Sequence, residues 1–259
     1  MKEGKRWGLK WELEGKISEE IFDLRTLLAL QKLLMGKIKA IDYPISSGKE
    51  AVVFKGEGKE GLVAIKIYRP RSLFLMRGMK KYIQGDRRFD KLSLSKRDQI
   101  LYTWARKERD NLARIAAAGV LVPTPIAVEK NVLVMSYIGD RESPAPLLKD
   151  LGTGGKSKKR INWFYLYERV TSYMSKMYEE GIVHGDLSEY NLMYWADKPW
   201  VIDVGQSVLI SHPLAEELLK RDVERVASFF SKRLGELKGK KKIKIKGASD
   251  IIREVRGQE

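Results

Sequence analysis

The stretch that decides the reading runs His184-Gly185-Asp186-Leu187-Ser188-Glu189-Tyr190-Asn191, and beyond an apolar run it continues Trp200-Val201-Ile202-Asp203-Val204-Gly205. Leu192 to Trp195 and Trp200 to Ile202 are expected as short strands joined by a polar turn at Asp197 to Pro199. The carboxylates of Asp186 and Asp203 and the amide of Asn191 then stand at strand ends. Such an all-oxygen donor set suits a hard cation that phosphates also hold. A solvated loop followed by a hairpin accounts for the same residues without chemistry. Asp-x-x-x-x-Asn alone is a common chance pattern. His184, two residues before Asp186, and the Asp203-x-Gly205 turn narrow it.

A phosphate-binding site needs cationic and backbone donors, and these are found upstream. Ser46-Ser47-Gly48-Lys49 is a small polar turn whose backbone N–H groups can face phosphate. It precedes two β-branched runs, Ala51 to Lys55 and Leu62 to Tyr68, separated by a glycine-rich turn at Gly56, Gly58 and Gly61, which reads as a hairpin. One glycine is neither Gly-x-Gly-x-x-Gly nor a Walker sequence. Lys66 carries more information, because Ala64-Ile65-Lys66 places an ammonium inside an apolar strand. A solvent-facing strand position explains it equally well in isolation, so its partner decides.

That partner is expected on the next helix. Ser95 with Asp98 resembles a capping pair and Gly119 a stop, giving one helix over Lys96 to Ala118 with an apolar stripe of Leu101, Trp104, Leu112 and Ile115. Glu108 lies within that stripe, four residues from Trp104 and four from Leu112. A buried carboxylate requires a cation, and Lys66 is the one the architecture offers; pairing with Arg109 or Lys107 at the stripe margin is the alternative. Further on, Val122 to Val128 and Asn131 to Ser136 form a second hairpin that leaves through Tyr137-Ile138-Gly139. The backbone of Ser136 and Ile138 in such a hinge can take an adenine edge. Leu151 to Arg160 reads as a basic flexible loop and Ile161 to Glu180 as a core helix.

In protein kinases the catalytic-loop Asp takes the substrate hydroxyl proton, while the Asn five residues on and the Asp of an Asp-x-Gly turn hold metal ions. Asp186, Asn191 and Asp203 stand at that spacing, with Lys66 as the phosphate-orienting cation. His184 reads as a structural histidine that orders the loop, since Asp186 fills the base role, and His212 before Pro213 reads as a turn residue.

Composition bounds the rest. In 259 residues with 43% hydrophobic content there is room for a large domain or two lobes. With no cysteine, disulfide frameworks and thiolate zinc sites are excluded. No run of about 18 apolar residues exists and the N-terminus has no apolar signal core, so a cytoplasmic, membrane-free protein is expected. A net charge of +16 attracts polyanions: nucleotide phosphates, RNA or a ribonucleoprotein surface. The insert between Tyr68 and Ser95 mixes Arg and Lys with Phe74, Tyr82 and Phe89 and reads as a long loop; RNA contact and plain solvated charge both fit it. Near the start, Ile17 to Met35 reads as a helix opened at Ser18, with Leu24, Leu27, Leu28 and Leu34 as its stripe.

The chain resembles the RIO family of atypical serine/threonine protein kinases, and more closely its Rio-one branch. The resemblance is carried by Ser46 to Ala51, Ala64-Ile65-Lys66-Ile67-Tyr68-Arg69, Tyr82-Ile83-Gln84-Gly85-Asp86, His184 to Asn191 and Ile202-Asp203-Val204-Gly205-Gln206. It implies an α+β, two-lobed protein-kinase-like fold: an antiparallel N-lobe sheet with one long helix, and a reduced, mostly helical C-lobe without the peptide-binding subdomain. Residues 1–44 are then a helical extension, 45–138 the N-lobe with a basic insert at about 69–95, and 139–259 the C-lobe with a basic tail at Lys238 to Lys246. It implies ATP with Mg²⁺ or Mn²⁺ as cofactors and the small ribosomal subunit precursor, with its rRNA, as partner. Two departures from ordinary protein kinases stand out. His-Gly-Asp replaces His-Arg-Asp, so no arginine stands beside Asp186 in sequence to bind an activation-loop phosphate. Only a short loop separates Asp203 from the helical run Leu214 to Arg233, with no Ala-Pro-Glu. An ATPase-gated assembly factor with an aspartyl-phosphate at Asp203, and a small-molecule kinase, remain as alternatives to a protein kinase.

Overall fold

A computed structural model describes residues 22–69, 73–90, 96–152, 161–236 and 246–257. The helix start at Ile17 and Ser18, the Ser95 cap, the loop at 153–160 and the tail at 238–245 lie outside them. The described residues form two compact units, one reaching Asp110 and including Pro123–Pro144, the other comprising Asn111–Val122 with Ala145 onward. Among the described residues no helix is long and apolar enough to cross a membrane.

The first unit is built on an antiparallel five-stranded sheet in the order β1-β2-β3-β5-β4, from Ile38–Ser47, Ala51–Gly58, Leu62–Tyr68, Pro125–Glu129 and Val132–Ser136. Strand β1 was not expected from sequence: its Pro44 and its register shifts break the alternation that marks a strand, and an edge position tolerates both. Gly56 and Gly58 lie inside β2 and not in the turn. A Cβ on Gly56 would stand 2.6 Å from the Ala40 carbonyl oxygen of β1 and 2.8 Å from Ile65 Cδ1, so the close approach of the strands explains that glycine.

Helix α1, Leu24–Gly36, packs on this sheet through Ala29, Leu30 and Leu33 against Val52, Phe54, Ile65 and Val134. It begins at Leu24, where the Asp23 carboxylate accepts from the Thr26 N–H at 2.8 Å. The expected stripe is the wrong face, since Leu24, Leu27 and Leu28 are 72%, 45% and 48% exposed. Leucines lie all around this helix, so apolar period alone does not select a side. Buried Thr26 selects it by accepting from Asn131 Nδ2 at 2.9 Å, while the same amide donates to the Tyr68 carbonyl at 2.9 Å.

The basic insert holds a helix, α2 (Leu73–Ile83), where a loop was expected. Its aromatics Tyr82 and Phe89 are buried, Tyr82 edge-on to Trp104 at 6.1 Å, so they are core and not stacking platforms. Asp86 closes the insert, accepting from Arg88 Nε at 2.9 Å and Nη2 at 2.7 Å. Helix α3, Arg97–Ala117, carries the expected stripe, with Leu101, Trp104, Leu112 and Ile115 all buried. Lys107 on it is also buried, and desolvation pushes its ammonium down to about 7 against the opposing field of Asp86.

The second unit holds α4 (Trp163–Glu179), β6 (Ile182–Val183), β7 (Leu192–Trp195), β8 (Lys198–Val201), β9 (Val208–Leu209), α5 (Ala215–Glu236) and α6 (Ala248–Val255). The β7–β8 turn is two residues, Ala196 and Asp197, at φ 50° and 62°. That left-handed pair matches the strand twist, and β8 therefore starts at Lys198, two residues before the expected Trp200. Helix α6 lies beyond the lysine run, where the sequence reads only as a tail; it packs on α4 and α5 with Ile251 and Val255 buried.

Candidate active site

In the first unit β3 and α3 place Lys66 against Glu108. The ammonium lies 2.8 Å from each carboxylate oxygen, with the side chains 9% and 1% exposed. Arg109, the alternative partner, turns to Asp110 at 2.8 Å. Ser46, Ser47, Gly48 and Lys49 at the β1–β2 turn are all exposed. The Gly48 N–H donates within the turn to Ala51 at 2.9 Å, and the Ser47 hydroxyl accepts from Arg69 Nη2 at 2.8 Å. One expected phosphate donor is thus spent locally, and Arg69 joins the loop as a residue that sequence reading did not assign to it. At the end of β5 the Ser136 N–H and hydroxyl both serve Thr124, at 2.8 Å each. A backbone contact from Ser136 to adenine is thereby confined to its carbonyl, since its N–H is taken by Thr124. Ile138, also on this segment, is buried.

In the second unit the loop after β6 is held from three sides. Gly185 sits at φ +81°, and a Cβ there would lie 2.9 Å from the Gln206 carbonyl oxygen; backbone conformation and close approach both demand glycine at the position where the His-Arg-Asp pattern has arginine. Asp222 on α5 is buried and accepts from the N–H groups of Gly185 at 2.7 Å and Leu187 at 2.9 Å. Burial pushes its carboxyl up to about 7 against those two donors and the Arg221 charge. Arg221 donates to the Gly185 carbonyl.

The side chains singled out in the sequence sit on this frame. Asn191 Nδ2 donates to the Asp186 carbonyl at 2.8 Å and to Asp186 Oδ2 at 3.3 Å, so the acceptor atom of this amide, Oδ1, is turned away from Asp186. Arg225 Nη1 lies 2.6 Å from Asp186 Oδ1. The Asn191 carbonyl accepts from Ile202 N–H at 3.0 Å, so the strand pair sets Asp203 one residue beyond the backbone partner of Asn191. Asp203 itself is exposed at φ 58°, in the left-handed region that aspartate tolerates better than most non-glycine residues. Buried Asn111 braces the 3-10 turn that follows, Val204–Gln206, by donating to the Val204 carbonyl at 2.8 Å and the Ser207 carbonyl at 3.1 Å.

His184 is buried and its imidazole is pushed down by desolvation. The Asp186 N–H donates to Nδ1 at 3.2 Å and Nε2 faces the Ile202 carbonyl at 3.3 Å, so a neutral ring protonated on Nε2 satisfies both neighbours. That is the structural role expected for it. His212, buried, accepts the Leu214 N–H at 3.1 Å as a turn residue.

A model of the RIO domain matches residues 52–243. The chain belongs to the RIO family. It is 42% identical over 227 residues to the RIO-type serine/threonine-protein kinase Rio1 of Haloferax volcanii, covering 87% of this chain and 75% of that one. The Rio1 of Methanocaldococcus jannaschii is also 42% identical, with 84% and 72% covered. Human serine/threonine-protein kinase RIO1 is 39% identical over 88% of this chain, which spans 40% of that longer protein. The Rio2 kinase of Chaetomium thermophilum, solved as an ADP/Mg²⁺-phosphoaspartate complex, superposes with a TM-score of 0.62 at 22% identity; 88% of this chain is covered and 65% of that one, less than two thirds. The fold is thus kinase-like, an antiparallel sheet with a mostly helical remainder, and this RIO domain is a phosphotransferase of the kinase type.

Asp222, Arg225 and Asn111 escaped the sequence reading. Asp222 carries the same signature that exposed Glu108, a carboxylate in an apolar stripe beside Leu218, Leu219, Val223 and Val226. Arg225 has no such signal, because an arginine on an outer helix face reads as solvated charge.

Proposed function

We propose that this RIO kinase transfers the γ-phosphoryl group of ATP to a serine or threonine of a client in small ribosomal subunit maturation, in the cytoplasm. The observation that supports this most is the loop around Asp186, whose backbone is fixed by Asp222 and whose carboxylate is fixed by Asn191 and Arg225. Asp186 aligns the accepting hydroxyl and takes its proton. Lys66, held by Glu108, orients the α- and β-phosphates, with Ser46, Ser47, Gly48 and Lys49 covering them and the Ser136 and Ile138 backbone taking the adenine. Asn191 Oδ1 and the exposed Asp203 carboxylate are hard oxygen donors of the kind and number that Mg²⁺ or Mn²⁺ takes when phosphates complete its shell. Bound there, the ion neutralises charge on the phosphates.

One observation favours a second reading, an ATPase-gated assembly factor with an aspartyl-phosphate: Asp203 is exposed, and the Chaetomium Rio2 complex is described as a phosphoaspartate. Labelled ATP given with and without ribosomal precursor separates the two. The kinase reading predicts label in a client that resists hydroxylamine. Hydroxylamine-labile label confined to this chain, with free phosphate as product, replaces it by the ATPase.

A further inference from the structure

We propose that a groove beside Asp186 in the second unit takes an acidic polypeptide segment flanking the accepting serine or threonine; this rests on the kinase reading above. The groove has a volume of about 750 Å³ and carries five cationic side chains, Lys149, Arg221, Arg225, Lys232 and Arg233, against the carboxylates of Glu189 and Glu224. Among the lining side chains that is an excess of three positive charges, of which Arg225 is shared with Asp186 at 2.6 Å and Lys149 with Asp150 at 3.2 Å. Four of the cations come from α5, where Arg221, Arg225 and Lys232 recur at helical spacing on one side. Like charges so placed destabilise a helix; Arg221, Arg225 and Arg233 are each engaged by the fold, through the Gly185 carbonyl, Asp186 and the Trp163 ring, and Lys232 adds a cation on the same side.

The cations are also held in place. The Arg233 guanidinium packs 5.3 Å from the Trp163 ring and 5.6 Å from the Phe229 ring, and donates to the Lys149 carbonyl at 3.3 Å. Across the groove the Lys149 ammonium lies 5.2 Å from the ring of Tyr190, which is 59% exposed. Arg225 links the groove to the chemistry through its 2.6 Å contact with Asp186. A chain lying here brings its hydroxyl to Asp186 and its neighbouring residues among the cations. The two carboxylates favour a polypeptide over RNA. A continuous polyphosphate meets them with charge at every repeat, whereas a polypeptide can set acidic residues against the cations and neutral ones against Glu189 and Glu224.

Fluorescence anisotropy with the whole protein tests this, using a dye-labelled peptide with one serine among Asp and Glu residues, its Ala-flanked counterpart and a single-stranded RNA. The acidic peptide should bind about tenfold tighter than the neutral one, a difference of about 1.4 kcal/mol. The preference should shrink in Lys149→Glu and in Lys232→Glu, and as salt rises from about 50 to 200 mM. Equal affinities, variants that leave the preference intact, or RNA that binds tighter and displaces the peptide would each overturn the proposal. Labelled ATP added to the same samples keeps the two readings apart. ATP turnover without any charge preference removes the groove and keeps the kinase; charge preference without turnover keeps the groove and removes the kinase.

Discussion

Two carboxylates buried for different reasons make opposite predictions. Glu108 is paired with Lys66, and breaking such a pair from one side costs on the order of 3–5 kcal/mol. Glu108→Gln should therefore lower both the urea midpoint and ATP affinity, whereas Arg109→Gln, at an exposed position paired with its neighbour Asp110, should change neither; equal effects would assign Lys66 to another partner. Asp222 is held by backbone donors in a desolvated site that raises it to about 7, well above its unfolded 3.8. The folded protein thus binds this proton more tightly than the unfolded chain, so its contribution to stability is complete below about pH 4 and is lost as pH rises through about 7. Urea midpoints across that window should fall for wild type and flatten in Asp222→Asn; an unchanged slope in the variant would assign the pH dependence to another group. Both residues were legible by one rule, a carboxylate inside an apolar helical stripe, yet only Glu108 was recognised, because Lys66 advertised a need for it. Asp222 answers to backbone N–H groups, which no sequence pattern displays.

At the scale of elements, punctuation made α3, α4, α5 and the three hairpins β2–β3, β4–β5 and β7–β8 readable, since each is bounded by glycine, proline or polar turns. Where periodicity was degenerate or interrupted, the reading failed. The all-round leucines of α1 hid its buried face, and Pro44 hid β1. The corrected face of α1 has a direct check. Leu30→Ala empties a core position and should cost about 2–5 kcal/mol, while Leu27→Ala, 45% exposed, should stay within about 0.5 kcal/mol by urea denaturation. The reverse order would restore the stripe expected from sequence.

For the whole molecule, a charge of +16 was visible from composition, but its distribution was not: Tyr82 and Phe89 of the insert lie in the core, and the cations gathered beside Asp186 come from α5 and the Leu148–Asp150 turn. If rRNA is a partner through this charge, affinity should fall about a thousandfold between about 50 and 200 mM salt for six or more phosphate contacts, and a flat dependence removes rRNA from the account. The central claim, that Asp186 serves the acceptor and Asp203 the metal-bound nucleotide, is tested most directly by calorimetric titration of nucleotide with Mg²⁺ into Asp186→Asn and Asp203→Ala, with turnover followed on the same samples. Asp186→Asn should keep nucleotide affinity while turnover drops by about a hundredfold to ten-thousandfold, and Asp203→Ala should lose both. Affinity that collapses in Asp186→Asn but survives in Asp203→Ala would contradict the assignment of the two carboxylates.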